Sequence, residues 1–324
     1  MTATGDRRGG EGRGGGHPAL RSRIAAAALA ALVALSCGRP GDVGVEQRPA
    51  PSPRSPVLIG LIPEHNIFRQ LERYRPLAAY VSSRIDRPIE LKILPRYGSI
   101  VSNFNTIGLD GAFFGSFTYA LAHREINVVP VARPVSLDGR STYFGMILVR
   151  KESAIRSPGA LKGKRFAFVD AATTAGYLLP LHWLAKNGVA DYRRFFGEYY
   201  FAGTHEDVIR DVLNGRADAG ATKNTVLDRM SQEDPSITER LVVLARSPDV
   251  PENGLALRGD CDPRLREAIR ATLLGMETDT EGQVVLSRFG ALRFIETTDA
   301  DYEPVYRYAR EAGIELAEYE VVNH

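Results

Sequence analysis

The stretch Arg165-Phe166-Ala167-Phe168-Val169-Asp170-Ala171-Ala172-Thr173-Thr174-Ala175-Gly176-Tyr177 changes character halfway along. Its first half is a short apolar run of the kind that forms a buried strand. Its second half is small and hydroxylated, and it opens a helical pattern through Leu178, Leu181, Leu184 and Ala185. A strand that turns directly into a helix leaves the first N–H groups of that helix without intrahelical acceptors. Small neighbours let an anion approach them and two threonines add hydroxyls, so the stretch outlines an anion cradle. The simplest alternative is that Thr173 or Thr174 caps the helix. The fixed glycines and terminal Gly-Lys-Ser/Thr of a nucleotide-hydrolysing phosphate loop do not occur in it.

At 324 residues the chain has room for two medium domains. The net charge of +2 is unevenly placed: five arginines against Asp6 and Glu11 give residues 1–36 a balance of +3 and leave −1 for the remainder. A near-neutral body argues against nucleic acid as a partner. Two cysteines, Cys37 and Cys261, and scattered histidines offer no zinc spacing. No dinucleotide fingerprint, Gly-x-Ser-x-Gly or His-Glu-x-x-His occurs, so neither metal nor cofactor nor catalysis is expected. Cys261, between Asp260 and Asp262, reads as a bystander thiol.

Residues 1–20 are rich in glycine and arginine and show no periodicity. Arg21 and Arg23 then precede an apolar run from Ile24 to Ser36, too short to span a bilayer and suited to a secretory signal. Residues 1–36 are therefore read as an N-terminal extension and signal peptide. The run ends Val33-Ala34-Leu35-Ser36-Cys37-Gly38, which resembles a bacterial lipobox, with Ala34 where such boxes usually carry Leu. Lipidation of Cys37, or plain cleavage before it, both imply export. Five prolines (Pro40, Pro49, Pro51, Pro53 and Pro56) make residues 37–56 an extended tether. The expected location is the periplasm or cell exterior, on a lipid anchor.

The folded part opens with a strand at Val57–Ile62 and alternates strands with helices to the end. Helices are expected over 74–85, 98–107, 116–124, 177–187, 205–213, 263–276, 281–289 and 302–311. Strands are expected over 89–94, 109–115, 128–132, 143–150, 165–169, 199–202, 217–222, 241–245 and 255–257. This alternation predicts an α/β protein. It is read as two lobes with mainly parallel sheets, a hinge and a central cleft. Residues 57–142 and 245–324 form the first lobe and residues 143–244 the second, with crossings near Ser141 and Leu244. Ligands of open α/β sheets bind beyond the carboxyl ends of strands. That places Tyr97, Phe114-Gly115-Ser116, Thr173-Thr174 and Thr204-His205 on the cleft edges.

The blocks Ile59-Gly60-Leu61-Ile62-Pro63-Glu64, Tyr74-Arg75-Pro76-Leu77-Ala78-Ala79-Tyr80 and Gly111-Ala112-Phe113-Phe114-Gly115 follow one another in order. So do Leu161-Lys162-Gly163-Lys164-Arg165-Phe166-Ala167-Phe168, Gly176-Tyr177-Leu178, Phe201-Ala202-Gly203-Thr204-His205 and Ala217-Asp218-Ala219-Gly220-Ala221-Thr222. From about Val57 to Ala271 the chain resembles the substrate-binding proteins of phosphonate, phosphite and phosphate ABC transporters. The resemblance implies a two-lobed periplasmic binding protein fold of type II-like form. It also implies that Thr173-Thr174-Ala175 grips an oxyanion, with His205 as a further contact and Tyr97 lining the pocket from the other lobe. Phe114, Gly115, Ser116 and Lys223 complete the expected ligand set. Thr204 and Asp207 also fit a capping-box variant, which leaves the direction of His205 open.

Two departures stand out. Ala175 replaces the last hydroxyl of the family's run, and Lys223-Asn224 stands where relatives often carry an acidic or amide residue. A free lysine there favours a dianion and repels an aminoalkyl ammonium. The expected function is capture of a phosphorus oxyanion (phosphate, phosphite or a simple phosphonate) by a monomer that delivers it to an ABC transporter permease. The alternatives are a binding protein serving a membrane sensor and an exported phosphate-ester enzyme. Sulfonate, thiamine-precursor or metal-complex ligands are open on the same fold.

Overall fold

The computed structural model describes residues 55–64 and 66–323. The expected signal segment, Cys37 and the tether up to residue 54 lie outside the described residues, as does His65. The chain runs β1 (Val57–Leu61), α1 (Ile67–Ile85), β2 (Ile89–Ile93), α2 (Ser99–Asn103), β3 (Gly111–Phe114), α3 (Ser116–Ile126) and β4 (Val128–Ser136). It continues through β5 (Thr142–Tyr143), β6 (Gly145–Arg150), β7 (Arg165–Phe168), α4 (Leu179–Lys186), α5 (Tyr192–Phe195), β8 (Glu198–Phe201), α6 (His205–Leu213), β9 (Ala219–Lys223), α7 (Asn224–Glu233) and α8 (Ser236–Arg240). It ends with β10 (Leu241–Arg246), β11 (Val250–Pro251), β12 (Gly254–Arg258), α9 (Pro263–Gly275), α10 (Thr280–Phe289), β13 (Ala291–Glu296) and α11 (Glu303–Glu311).

One sheet has the order β13-β4-β12-β3-β1-β2 and the other β10-β6-β9-β7-β8. Both are mixed rather than mainly parallel. β1 runs parallel to β2 and β3, and β7 to β8 and β9, whereas β12, β4 and β13 pair antiparallel, as do β6 with β9 and β10. The reason is the path of the chain. It leaves the first sheet after β4 and returns after β10, so the strands beside each passage enter from the far side. The second passage lies between β10 and β12, beyond Leu244. At the two passages β5 and β11 pair as a short antiparallel ribbon, Tyr143 opposite Val250.

Local chemistry accounts for most boundaries. β1 is almost wholly buried, as a central parallel strand should be. α1 begins well before the expected Tyr74 because the Asn66 side chain accepts from the Phe68 N–H and caps it. Pro76 lies inside that helix without ending it. β13 has no counterpart in the sequence expectation: it is an edge strand with Leu292 exposed, so its alternation is weak. α7 likewise has no counterpart in the sequence expectation, since only Asn224, Val226, Leu227 and Met230 of its polar sequence turn inward.

Candidate functional site

β7 stops at Phe168, and the chain turns through Asp170 before a π-helical turn, Thr174–Leu178, leads into α4. The wide turn cannot be read from side-chain periodicity; such turns recur at functional sites. Gly176 is needed there, because a Cβ would lie 2.4 Å from Val169 Cγ2 and 2.7 Å from Thr173 Oγ1. Thr173 Oγ1 donates to the Asp170 carbonyl at 2.7 Å, inside its own turn. Thr174 Oγ1 instead accepts, at 2.8 Å, from the N–H of Phe117 in the opposite lobe. Neither threonine caps the helix it opens, so the simpler expectation for them fails. Ala175 is buried beneath, against the backbone at Gly145.

From the first lobe, Gly115 is extended (φ −69°, ψ 161°) and Ser116 starts α3 directly behind β3. This aims the α3 N-terminus at the second lobe, as the Phe117 N–H shows. Ser116 Oγ donates to the Pro251 carbonyl on the ribbon at 2.5 Å. The Phe114 ring stacks on Phe104 in the core, 6.1 Å between centroids. Tyr97 follows β2 and is 3% exposed, yet its hydroxyl has no hydrogen-bond partner among the described residues. Burial, then the nearby Glu64 and Asp170 charges, raise its pKa well above the ordinary value, so it stays a phenol with a proton to give.

His205 opens α6 and is also 3% exposed. Thr204 does cap this helix, accepting from the Asp207 N–H at 3.0 Å, while the His205 ring turns inward. The cap and the inward histidine thus coexist. His205 Nδ1 accepts from the Lys223 N–H at 3.2 Å, which puts the ring proton on Nε2. Burial lowers its pKa to about 3, with Lys223 acting in the same direction and Glu64 against it. The ring is therefore a neutral donor, and it meets the Tyr97 ring edge-on with centroids 6.1 Å apart.

Lys223 reaches the same cleft, but its ammonium is already engaged. Nζ donates to Glu64 Oε1 at 3.1 Å, to Glu252 Oε1, and to Asn253 Oδ1 at 3.2 Å. It also lies 4.2 Å from the centroid of the Tyr143 ring. Burial alone would lower its pKa; Glu252 and then Glu64 outweigh burial and raise it. The free lysine charge assumed from the sequence is thus not the arrangement observed. Glu64, Tyr143, Glu252 and Asn253 carried no role in the sequence reading. Glu64 ends a block quoted there, and Pro251-Glu252-Asn253-Gly254 is a turn-like run beside a chain crossing.

The C-terminal segment seats this turn. Asn323 Nδ2 donates to Asp170 Oδ2 at 2.7 Å, and its Oδ1 accepts from the Ala171 N–H at 2.8 Å. The Tyr319 hydroxyl donates to the Ala171 carbonyl at 2.7 Å, and its ring packs 5.5 Å from Phe117 of the first lobe. Asp170 is therefore scaffold: it accepts from Ala172, Asn323 and Gly98, and burial still raises its pKa. His123 bonds the Val128 carbonyl and His182 lies beside Glu311, both away from the cleft. No group of three or more potential metal ligands occurs among the described residues.

A family described as "ABC transporter, phosphonate, periplasmic substrate-binding protein" matches residues 59–302. A probable ABC transporter phosphite binding protein of Prochlorococcus marinus is 25% identical over 78% of this chain and 88% of its own length. The phosphonates-binding periplasmic protein of Escherichia coli is 24% identical over 73% of this chain and 71% of its own. A Prochlorococcus marinus structure solved with methylphosphonate superposes with a TM-score of 0.72 at 23% identity, covering 81% of this chain and 99% of that one. The fold is thus that of a two-lobed binding protein, and the chain belongs to the family of periplasmic substrate-binding proteins of phosphonate ABC transporters.

Proposed function

We propose that this protein closes on a small phosphorus oxyanion (phosphate, phosphite or a simple phosphonate) and presents it to an ABC transporter permease. The observation that carries the reading is the buried hydroxyl of Tyr97, without a hydrogen-bond partner among the described residues, beside the neutral His205 ring, together with the start of α3 meeting Thr174 from the other lobe. Thr174, whose hydroxyl accepts from Phe117 and keeps its own proton, supplies a further donor, while Ser116 and Thr173, whose hydroxyl protons go to the Pro251 and Asp170 carbonyls, line the site. Ala175 and Gly115 keep the approach to the backbone open, and Phe114 acts through its packing. Neutral donors hold an anion without leaving an unpaired buried charge when the site is empty. The lobes divide at the β5–β11 ribbon, which serves as the hinge. Binding and release complete this role, with no bond made or broken. Export with a lipid anchor at Cys37, and action as a monomer, complete the picture.

The test is thermal unfolding of the purified full-length chain with phosphate, phosphite, methylphosphonate, sulfate or an alkylsulfonate. A cognate ligand at about a hundred times its Kd should add roughly 2.7 kcal/mol of stability. A shift confined to phosphorus oxyanions is the expected result. Stabilisation by sulfate or alkylsulfonate alone, or by none of the five, overturns the reading.

A further inference from the structure

The surroundings of the Lys223 ammonium are those of a binding site for a primary ammonium. Glu64, Glu252 and Asn253 offer three oxygens to its three N–H groups, and the Tyr143 ring forms a fourth wall. The walls come from two separate stretches of chain: Glu64 follows β1, while Tyr143, Glu252 and Asn253 lie on the ribbon and its continuation. An ion pair that merely tied the lobes together would need one carboxylate, and two converge here. Tyr143 also joins this cage to the neutral donors, because the Ser116 and Thr174 hydroxyls act on its phenol and oppose the rise in pKa that burial causes. One aromatic ring therefore spans the distance between an anion on those donors and an ammonium in the cage.

We propose that Lys223 is a built-in plug in an ammonium subsite, and that by filling it the protein selects oxyanions lacking a cationic arm. This rests on the oxyanion reading above and adds a specificity residue to it. Removing the side chain beyond Cβ leaves Glu64, Glu252 and the Tyr143 ring around a space the size of an alkylammonium. Arg229 lies near enough to act on both carboxylates, so their charge is not left wholly uncompensated in such a variant.

Two measurements on full-length wild type and Lys223→Ala test this. In the first, melting is followed with ethylammonium chloride, tetramethylammonium chloride or potassium chloride at equal ionic strength. Lys223→Ala should be stabilised by ethylammonium alone, and wild type by none selectively. In the second, wild type should bind ethylphosphonate more tightly than 2-aminoethylphosphonate, and Lys223→Ala should shift that ratio at least tenfold towards the amine. Refolding of Lys223→Ala only with ethylammonium present would support the plug as well. If that variant does not fold in any salt, Lys223→Ala/Glu64→Gln is read in the same way. An unchanged ratio overturns the proposal whatever the first measurement shows. Should neither protein bind either phosphonate, the phosphate and phosphite arms of the melting test above decide the oxyanion reading, and selective stabilisation of Lys223→Ala by ethylammonium or its lack decides the cage.

Discussion

His205 and Lys223 are two buried bases, linked by a bond from the Lys223 main-chain N–H to the imidazole, and burial lowers the pKa of one but is outweighed at the other. The His205 pKa falls to about 3 because burial disfavours its cation and outweighs the Glu64 charge that would raise it. The Lys223 pKa rises because two carboxylates offset the same penalty. One cleft thus contains a neutral half, made of Tyr97, Ser116, Thr174 and His205, and a charged half, made of Glu64, Glu252 and Lys223. The neutral half can stand empty at low cost. The charged half persists only while its members compensate one another.

The comparison can be broken most forcefully at the charged half. Lys223→Met leaves two buried carboxylates with their principal partner gone, and should lower stability by about 3–5 kcal/mol in urea unfolding. A loss under about 1 kcal/mol would mean the cluster is solvated and the contrast is wrong. At the neutral half, Thr174→Val removes the acceptor of the Phe117 N–H and a candidate ligand donor. Oxyanion affinity measured by calorimetry should fall by roughly 1–3 kcal/mol, and unaltered affinity would remove Thr174 from the site.

The pH dependence gives the smallest step, taken per pH unit, and the sharpest sign. Above pH 6.5, the ordinary histidine value, His205 is neutral whether the chain is folded or unfolded. As pH falls from there towards about 3, only the unfolded chain takes up the proton. Stability present above pH 6.5 is therefore lost on acidification, at up to about 1.4 kcal/mol per pH unit. His205→Gln should flatten that limb in denaturation curves taken between pH 6.5 and 4. A variant with the same acid slope as wild type would show that His205 titrates normally and that the neutral half is not dry.

Much of the site was legible because strand ends and helix starts are local features. Tyr97 after β2, Gly115-Ser116 after β3, Thr173-Thr174 after β7 and His205 after β8 all stand where the alternation placed them. The capping reading of Thr173 and Thr174 failed because the acceptor role of Thr174 is settled by Phe117, 57 residues earlier. The edge strand β13 was illegible because one neighbour and an exposed Leu292 weaken its pattern.

The sequence by itself determined the α/β class, the order of elements and the small, hydroxylated turns that face the cleft. Those follow from hydrophobic period and helix-start chemistry within a dozen residues. Only the tertiary structure decided the mixed pairing of the sheets, the seating of Asn323 on Asp170 and the enclosure of Lys223 by Glu64 and Glu252. Glu64 stands 159 residues from Lys223, and Asn323 stands 153 from Asp170. Whether a lysine charge is free or spent depends on what lies beside its ammonium, and residues so far apart become neighbours only through the fold.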